Sequence, residues 1–401
     1  MVRPSTLVPA AILTLAIALS AAAAHAQCQT ASFEDWRDSV KQEAIASGIS
    51  AQTAAALDRA VYDKSVIGRD RSQGVFNQTF LEFSDRMVSK YRLQQGAMLL
   101  KKHGSTFGQV EEKYGVPGPV IAAFWGLETD FGANLGDFPT LTALATLAYD
   151  CRRPDVFHEQ LLAALKVIDR GDLSPDEMKG AWAGELGQTQ FLPKDYAESA
   201  VDFDHDGKRD LLHSVPDVLA SSANLLVKHG WRAGEPWLQE VRVPASLPWE
   251  QADLAITLPR SQWVAYGVTS ANDTPLAADD VKASLLLPMG RSGPAFLAYR
   301  NFNVFTEWNK SLVYTTTAAY LATRLAGAPP ISRGQPVEGA LAPMQISDLQ
   351  ELLIARGYDV GGKADGILGA ATRSAVRDMQ LKFGMPADSY PTADLMARLR
   401  Q

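Results

Sequence analysis

The residue best placed for acid–base chemistry is Glu128, in the segment FWGLETDFG (residues 124–132). If IAAFWGLE forms a helix, at ~100° per residue the Glu128 side chain shares a face with Ile121, Phe124 and Trp125. Burial against aromatic rings and the negative end of a helix both disfavour a carboxylate and raise its pKa. A carboxyl group held neutral near pH 7 can donate a proton, as glycoside cleavage requires. The alternative is an ordinary glutamate at a helix end that reaches solvent or caps a following turn.

A second segment, GAWAGELGQTQFLP (residues 180–193), places uncharged hydrogen-bonding groups among glycines. Small residues let a ligand approach the backbone closely, and the amides of Gln188 and Gln190 suit sugar hydroxyls and acetamides. Glu185 is the second carboxyl group that could take part, although we favour for it the role of a structural acid hydrogen-bonded to nearby backbone. Asp130 lies about 200° around the helix from Glu128, so it cannot share its face. Taken alone, the segment is more typical of a glycine-rich turn before a helix.

Together, WGLETDFG and AGELGQTQFLP resemble segments of the lytic murein transglycosylases, specifically the membrane-bound lytic transglycosylase B family. Similar segments follow in the same order: LATLAYDCRRPDVF, AVDFDHDGKRDLL, SANLLVKHGW, GPAFLAYRNFNVF and WNKSLVY. The resemblance runs from about Phe33 to Gly327. It implies a lysozyme-like, helix-rich fold and cleavage of the β-1,4 bond between N-acetylmuramic acid and N-acetylglucosamine. The muramoyl C6 hydroxyl, instead of water, closes on C1 and leaves a 1,6-anhydro end.

The resemblance also implies which residues form the cleft. Glu128 would be the acid that protonates the leaving oxygen and the base that then activates the C6 hydroxyl. The expected substrate contacts are Gln188, Gln190, Glu185, Trp308, Asn309 and Tyr314. Trp308 stands where the family usually has a tyrosine, so stacking on a sugar is retained while a phenolic hydrogen bond is lost. Two alternatives stay open: a hydrolytic muramidase in which Glu185 or another acid activates water, and a non-catalytic protein that binds the cell wall.

An acidic loop raises the question of a metal ion. Asp202, Asp204, Asp206 and Asp210 occupy positions 1, 3, 5 and 9 of a pattern like that of an EF-hand calcium loop. Position 12, however, is His213 instead of a bidentate glutamate. We therefore expect no required cofactor, and we weigh a calcium site against a simple turn rich in aspartate.

The N-terminus predicts export. Residues 1–26 contain a basic residue, an apolar run and the small-residue cleavage site Ala24-His25-Ala26, which together are typical of a secretory signal peptide. We expect a periplasmic protein with no membrane span in its mature form. In that compartment Cys28 and Cys151 are expected to form a disulfide. The net charge of −7 argues against nucleic acid, and we expect a monomer that acts on glycan strands.

The helical spacing predicts a mainly α (α+β) protein with two folded units. Residues 31–327 are expected to form the catalytic domain, with a small β-containing insertion where EVRVP, LAITLP and WVAYGV occur. Residues 328–343, rich in Ala, Gly and Pro, read as a linker. Residues 344–401 resemble the three-helix peptidoglycan-binding domain through LQELLIARGY, ADGILG and TRSAVRDMQ. We expect this module to act as a tethered binder outside the cleft.

Overall fold

The computed structural model describes residues 31–72, 78–272, 274–335 and 338–401. The predicted signal peptide, residues 1–26, and Cys28 lie outside the described residues. Export and the Cys28–Cys151 disulfide therefore stay predictions. Among the described helices, none combines the length and the apolar composition that crossing a bilayer requires.

Helices are the main secondary structure of the described residues up to 327, so the predicted helix-rich fold is confirmed. In chain order they are α1 (Phe33–Ala46), α2 (Ala51–Ala54), α3 (Lys64–Arg71), α4 (Phe80–Met87), α5 (Lys90–Lys102), α6 (Gly104–Tyr114), α7 (Gly118–Thr129), α8 (Thr140–Tyr149), α9 (Pro154–Asp169), α10 (Pro193–Ser199), α11 (Val215–Lys228), α12 (Arg260–Ala265), α13 (Arg300–Trp308) and α14 (Leu312–Leu325). Short 3-10 turns lie at Ala55–Arg59 and Trp249–Gln251.

The segment between α4 and α6 is more broken than its apolar spacing predicts. The segment LEFSDRMVSKYRLQQGAMLLKKHG (residues 81–104) has apolar residues at helical spacing throughout, but α4 ends at Met87 and α5 begins at Lys90. The break occurs because the Ser89 side chain accepts a hydrogen bond from the Arg92 N–H, 3.2 Å away, and so starts α5 as an N-cap.

Two apolar cores hold these helices together. One includes Leu144 and Leu161 and is built from α1, α2, α3, α8, α9 and α10. The other includes Phe124 and Phe305 and is built mainly from α4 to α7, α11, α13 and α14. Trp308 packs partly against both cores, which places the end of α13 at their junction.

Residues 238–299 contain the predicted β insertion. The short pair β1 (Phe138–Pro139) and β2 (Lys179–Gly180) is separate from it. The strands of the insertion are β3 (Leu238–Arg242), β4 (Leu258–Pro259), β5 (Thr269–Ser270), β6 (Lys282–Leu286) and β7 (Ala295–Tyr299). They form an antiparallel sheet in the order β4–β6–β7–β3–β5.

Both faces of the central strand β7 are covered. Phe296 and Ala298 join the core of the α7 and α14 helices, while Leu297 and Tyr299 point into a separate core of the insertion. This alternation is why AFLAY is apolar throughout. The expectation that WVAYGV is extended is wrong, since most of it lies in or beside α12; a short apolar run does not distinguish a strand from a buried helical turn.

The C-terminal residues fold as the expected three-helix module. It contains α15 (Pro343–Ile354), α16 (Ala370–Lys382) and α17 (Ala393–Leu399). Leu349, Leu353, Val376 and Leu395 are fully buried in its core. The module therefore has an apolar centre of its own.

This module is docked on the β insertion. Arg373 is only 8 % exposed, and its guanidinium donates to the carbonyl oxygens of Leu287 (2.6 Å) and Pro288 (3.4 Å). The N–H of Arg291 donates to Asp388 Oδ2 at 3.1 Å. A buried charged group held by backbone carbonyls makes a specific contact, because leaving it unpaired is costly.

The predicted linker is also held in place. The Ser332 N–H donates to Glu240 Oε1 at 2.7 Å, and Arg333 forms a two-point contact with Asp85 at 2.8 and 3.0 Å. The Gln335 N–H donates to the Ser292 carbonyl at 2.8 Å. The described part of residues 328–343 is thus bonded to the first domain through both side chains and backbone, which differs from the free linker that its composition predicts.

Candidate active site

Helix α7 presents Glu128 in its last turn. Pro119 lies in the first turn, where its missing N–H removes no hydrogen bond. The helix ends at Thr129, and Asp130 and Phe131 take left-handed conformations with φ of 50° and 63°. Such conformations are unfavourable for residues with a Cβ and collect at functional sites. The backbone thus turns sharply directly after the candidate acid.

Arg92 of α5 caps this helix end. Its Nε donates to the Gly126 carbonyl at 3.0 Å and lies 2.7 Å from Asp130 Oδ1. A cation at a helix C-terminus offsets the negative end of the helix dipole, and Arg92 adds a second donor to a carbonyl that also accepts the Asp130 N–H at 3.2 Å. Sequence reasoning missed Arg92, because it lies 34 residues from Gly126 and carries no local signature.

Two donors from the far side of the cleft meet the Glu128 carboxyl. The Trp308 indole N–H donates to Oε1 at 3.0 Å, and the Tyr314 hydroxyl donates to the same oxygen. These side chains come from the end of α13 and the first turn of α14. Helices α7, α13 and α14 enclose most of the carboxyl group, and the Glu128 side chain stays partly exposed to the cleft.

The pKa of Glu128 is raised to about 7. Burial is the main cause, and the nearby Glu185 charge acts in the same direction, while the hydrogen bonds from Tyr314 and Trp308 oppose both. The pKa of Tyr314 is raised well above its usual value by burial and by the Glu128 charge. Tyr314 therefore stays a neutral donor, and Glu128 changes protonation near neutral pH.

The Trp308 ring is packed against protein on one face. It stacks on Phe124 with centroids 4.2 Å apart and contacts Phe191 edge-on at 5.8 Å. Sequence reasoning gave Trp308 a role in stacking on a sugar and considered a phenolic hydrogen bond lost. In the structure the indole N–H provides a hydrogen bond to Glu128, so the substitution keeps a donor at this position.

Glu185 lies in the glycine-rich loop close enough to Glu128 for their charges to interact. Burial raises the pKa of the Glu185 carboxyl, while hydrogen bonding to the backbone of Glu185 and Ala183 and the Arg153 charge lower it in part. Its Oε2 is buried without a hydrogen-bond partner among the described residues. An unpartnered buried carboxyl oxygen is costly and calls for an explanation, such as a water or ligand that completes it.

Gln188 has a structural position that the sequence prediction did not anticipate. It is buried, its Oε1 accepts the Trp125 indole N–H at 2.8 Å, and its Nε2 donates to the Leu212 carbonyl at 2.8 Å. Both ends of the amide are occupied within the protein. The predicted substrate contact is therefore corrected: Gln188 joins α7 to the loop before α11.

Gln190 stays accessible and has an unusual backbone. Its φ is 52°, and its Nε2 donates to the carbonyls of Leu135 (3.2 Å) and Gly187 (2.9 Å). These bonds fix the amide while its oxygen has no partner among the described residues. That oxygen is available to a sugar hydroxyl or an acetamide N–H, so the predicted contact fits the geometry.

Asn309 closes the cleft from the α13–α14 turn. Its Oδ1 accepts the Ser311 N–H at 2.9 Å, and its carbonyl accepts the Thr315 hydroxyl at 2.8 Å. These bonds hold the short connection between Trp308 and Tyr314. The structure therefore gives Asn309 a part in positioning both donors to Glu128, and its contact with substrate stays a prediction.

The acidic loop is arranged differently from the predicted ligand set. Carboxylate oxygens of Asp202, Asp204 and Asp217 lie within 4.8 Å of one another. Asp206 and Asp210 are absent from this group: Asp206 accepts the Lys208 N–H (2.8 Å) and Asp210 accepts the Leu212 and His213 N–H groups (both 2.9 Å). Their oxygens close local turns, and their role as metal ligands stays a prediction.

Asp217 was missed because it lies beyond the twelve-residue pattern, in the first turn of α11. It accepts the backbone N–H groups of Phe203 (2.7 Å) and Asp210 (2.8 Å), and burial raises its pKa. The residue thus holds the acidic loop together. Its place three residues after the capping Ser214 was the signal that could have identified it.

Comparison with known families decides the classification. Residues 32–323 match the model of the Transglycosylase SLT domain. The chain belongs to this family. Residues 344–399 of this SLT-family protein match a model for a peptidoglycan binding domain.

Individual relatives agree with the family assignment. The SLT-family protein is 29 % identical over 253 residues to the membrane-bound lytic murein transglycosylase B of Escherichia coli (strain K12), covering 62 % of this chain and 68 % of that protein. It is also similar to crystal structures of SltB3 from Pseudomonas aeruginosa in complex with NAG-anhNAM-pentapeptide and with NAG-NAM-pentapeptide. For each, the identity is 43 % and the TM-score 0.85, covering 92 % of this chain and 100 % of that one.

A more distant structure shares the fold of the first domain. Slt35 of Escherichia coli, solved in complex with calcium, is 27 % identical with a TM-score of 0.62 and covers 72 % of this chain and 92 % of that one. The expected lysozyme-like transglycosylase family with a peptidoglycan-binding module is therefore confirmed.

Proposed function

We propose that this SLT-family protein is a peptidoglycan lytic transglycosylase. It cleaves the β-1,4 bond between N-acetylmuramic acid and N-acetylglucosamine and leaves 1,6-anhydromuramoyl ends. The observation that carries the proposal is the Glu128 carboxyl, with a pKa of about 7 and two neutral donors on one oxygen. A group that titrates near neutral pH is suited to giving a proton and then taking one.

The two half-reactions use the same carboxyl group. Protonated Glu128 gives its proton to the bridging oxygen as the bond from that oxygen to C1 breaks. The indole of Trp308 and the hydroxyl of Tyr314 then stabilise the carboxylate that forms, as hydrogen bonds to the ionised form do. That carboxylate removes the proton of the C6 hydroxyl while O6 bonds to C1. Glu128 ends protonated, and no water is consumed.

Glu185 is the observation that favours a second candidate, the hydrolytic muramidase. Hydrolytic glycosidases use two carboxyl groups flanking the scissile bond, and Glu185 supplies a buried second one near Glu128. In that reaction its carboxylate would activate a water molecule for attack on C1. The product would then carry a reducing end instead of an anhydro end.

Mass spectrometry of released muropeptides separates the candidates. We expect anhydro products from the wild type and from Glu185→Gln, and none from Glu128→Gln, which retains the amide shape but cannot transfer a proton. Reducing ends from the wild type that disappear in Glu185→Gln would establish the muramidase instead. Binding of Glu128→Gln to sacculi, with no product from the wild type, would support a non-catalytic wall-binding protein.

The site of action and the metal follow as further parts of the proposal. Peptidoglycan lies outside the cytoplasmic membrane, and the signal-like pattern of residues 1–26 supports a periplasmic location for a monomeric enzyme. A calcium ion, if bound, would be held by Asp202, Asp204 and Asp217, whose oxygens suit a hard cation. The acidic loop is remote in sequence from Glu128, and the proposed chemistry needs no cofactor.

A further inference from the structure

A cavity of about 210 Å³ lies between the docked module and the catalytic domain. The catalytic domain lines it with residues 310–313, in the turn between α13 and α14 and the start of α14. The module lines it with Arg373 and with the turn Gly366–Gly369. Neither unit alone encloses this space, so docking of the module creates it.

The charged side chains that line the cavity are both cationic. They are Lys310 and Arg373, and no aspartate or glutamate is among the described lining residues. Lys310 is 73 % exposed and pairs with Glu307 at 2.6 Å, a surface contact that contributes little and leaves the ammonium available. Asp388 lies near Arg373 and offsets part of its charge, but Asp388 already accepts bonds from Gln380 and backbone N–H groups.

The turn that lines the cavity also joins the two residues that donate to Glu128. The lining residues 310–313 lie between Trp308 and Tyr314 in the chain, and both of these donate to Glu128. The residues at the ends of this turn therefore contact Glu128, and the residues between them face the module. Because the Tyr314 hydroxyl contacts Glu128 and the preceding residue, Val313, lines the cavity, a branch of a few extended residues, each spanning about 3.3–3.6 Å, is comparable in length to this separation.

We propose that this cavity binds the carboxylate-bearing end of the peptide branch on the muramoyl sugar held at Glu128. The inference rests on the proposed function and adds a recognition element to the same site. A volume of about 210 Å³ is below the ~300–1,000 Å³ of pockets that enclose whole small molecules, so it suits the end of a branch. Its cationic lining selects a peptide that carries free carboxylates over a neutral sugar.

The test compares two glycan substrates of equal length, one bearing the stem peptides and one stripped of them. The measured quantity is the ratio of kcat/KM for the peptide-bearing substrate to that for the stripped one. We expect a ratio above one for the full-length wild type. Lys310→Gln, which removes a cation, and Ile367→Trp, which fills the cavity from the module, should each lower this ratio about 5-fold, as loss of one charged contact does.

Two variants serve as matched controls. Lys363→Gln removes an exposed lysine of the same module, and Ile354→Trp enlarges a side chain that is 42 % exposed; neither residue lines the cavity. Both should keep the wild-type ratio. A wild-type ratio of one, or an unchanged ratio in both Lys310→Gln and Ile367→Trp, would overturn the inference.

A binding measurement separates this inference from the proposed function. In the Glu128→Gln background, isothermal titration with the peptide-bearing disaccharide should show weaker binding when Lys310→Gln is added. Binding of the stripped disaccharide in the same background provides the reference. If the wild type forms no anhydro product, the proposed function fails, yet the titration still decides whether the cavity holds the peptide. Equal affinity with and without Lys310→Gln would refute the cavity's role.

Discussion

The protonation of Glu128 is set by neighbours that act in opposite directions. Burial, and to a lesser extent the Glu185 charge, favours the neutral acid, while the hydrogen bonds from Tyr314 and Trp308 favour the carboxylate. The balance leaves the pKa at about 7. Since the proposed reaction starts from the protonated form, activity should fall as the pH rises through this value.

The fall in activity at high pH is the alkaline limb of the pH profile. We expect two substitutions to move this limb in opposite directions. Tyr314→Phe removes a hydrogen bond to the carboxylate, so the pKa of Glu128 rises and the limb moves to higher pH. Glu185→Gln removes a negative charge, so the pKa falls and the limb moves to lower pH. Profiles of kcat/KM against pH with a soluble glycan measure both. Shifts in the same direction would contradict the assigned electrostatics, whatever the loss in absolute rate.

Glu128→Gln should stabilise the fold at alkaline pH. The pKa of the Glu128 carboxyl is 4.5 in the unfolded reference and about 7 in the folded protein. The neutral acid therefore contributes its full stability below pH 4.5. That contribution, about 3 kcal/mol in total, is lost as the pH rises through the folded pKa. Urea unfolding should therefore show a larger advantage of Glu128→Gln at about pH 8 than at about pH 4. An equal difference at both would mean that Glu128 is ordinarily ionised.

At the scale of elements, the turn after α7 depends on a close approach that excludes a side chain. Gly132 has a φ of 86°, and a Cβ there would lie 2.5 Å from Gln188 Oε1. That oxygen is the acceptor of the Trp125 indole N–H. A methyl group at residue 132 would therefore displace the link between α7 and the glycine-rich loop.

We expect Gly132→Ala to destabilise the protein more than Gly230→Ala. Gly230 also has a positive φ, 98°, but has open space around its missing Cβ. It therefore reports the backbone strain alone, about 1 kcal/mol. Gly132→Ala adds the clash with Gln188 and should also reduce kcat, because Glu128 lies in the helix that moves. The comparison needs unfolding free energies of both variants; similar values would show that the turn relaxes without cost.

The local sequence pattern was enough to identify Glu128 and the helix-rich fold. It did not identify the residues that set the pKa and the position of Glu128. Helical spacing placed Glu128 on an apolar face, and the family resemblance pointed to Tyr314 and Trp308. The occupied amide of Gln188 could not be foreseen, since its partners lie 63 and 24 residues away. The prediction of a strand from the short run WVAYGV was wrong for a related reason. Tertiary packing, and not local preference, places part of this run in α12.

At the scale of the whole molecule, the module is a fixed part of the enzyme. Arg373 inserts into the β insertion and satisfies two carbonyl oxygens, and residues 332–335 are bonded to the first domain. Nothing in the sequence of a three-helix module indicates which surface it docks on, because the contact joins side chains to backbone 85 residues away.

Arg373→Met should release the module while leaving both folded units intact. The change keeps an unbranched apolar stem but leaves the carbonyls of Leu287 and Pro288 without their donors. We expect calorimetry to show two unfolding transitions where the wild type shows one. Arg400→Met is the control, because the Arg400 side chain is 61 % exposed and its ion pair, to Asp348 at 3.9 Å, lies within the same module. A single unshifted transition in Arg373→Met would show that the docking contact is dispensable.

The hydrogen bond between Trp308 and Glu128 makes the indole an optical indicator built into the protein. Indole emission responds to a charge beside the ring, so it should change as the carboxyl ionises near pH 7. The chain has eight tryptophans, and subtracting the spectrum of Trp308→Phe isolates the one at the acid. The protonation state of Glu128 could then be followed without substrate. A compound that enters the cleft would be detected as a shift in the emission wavelength of Trp308.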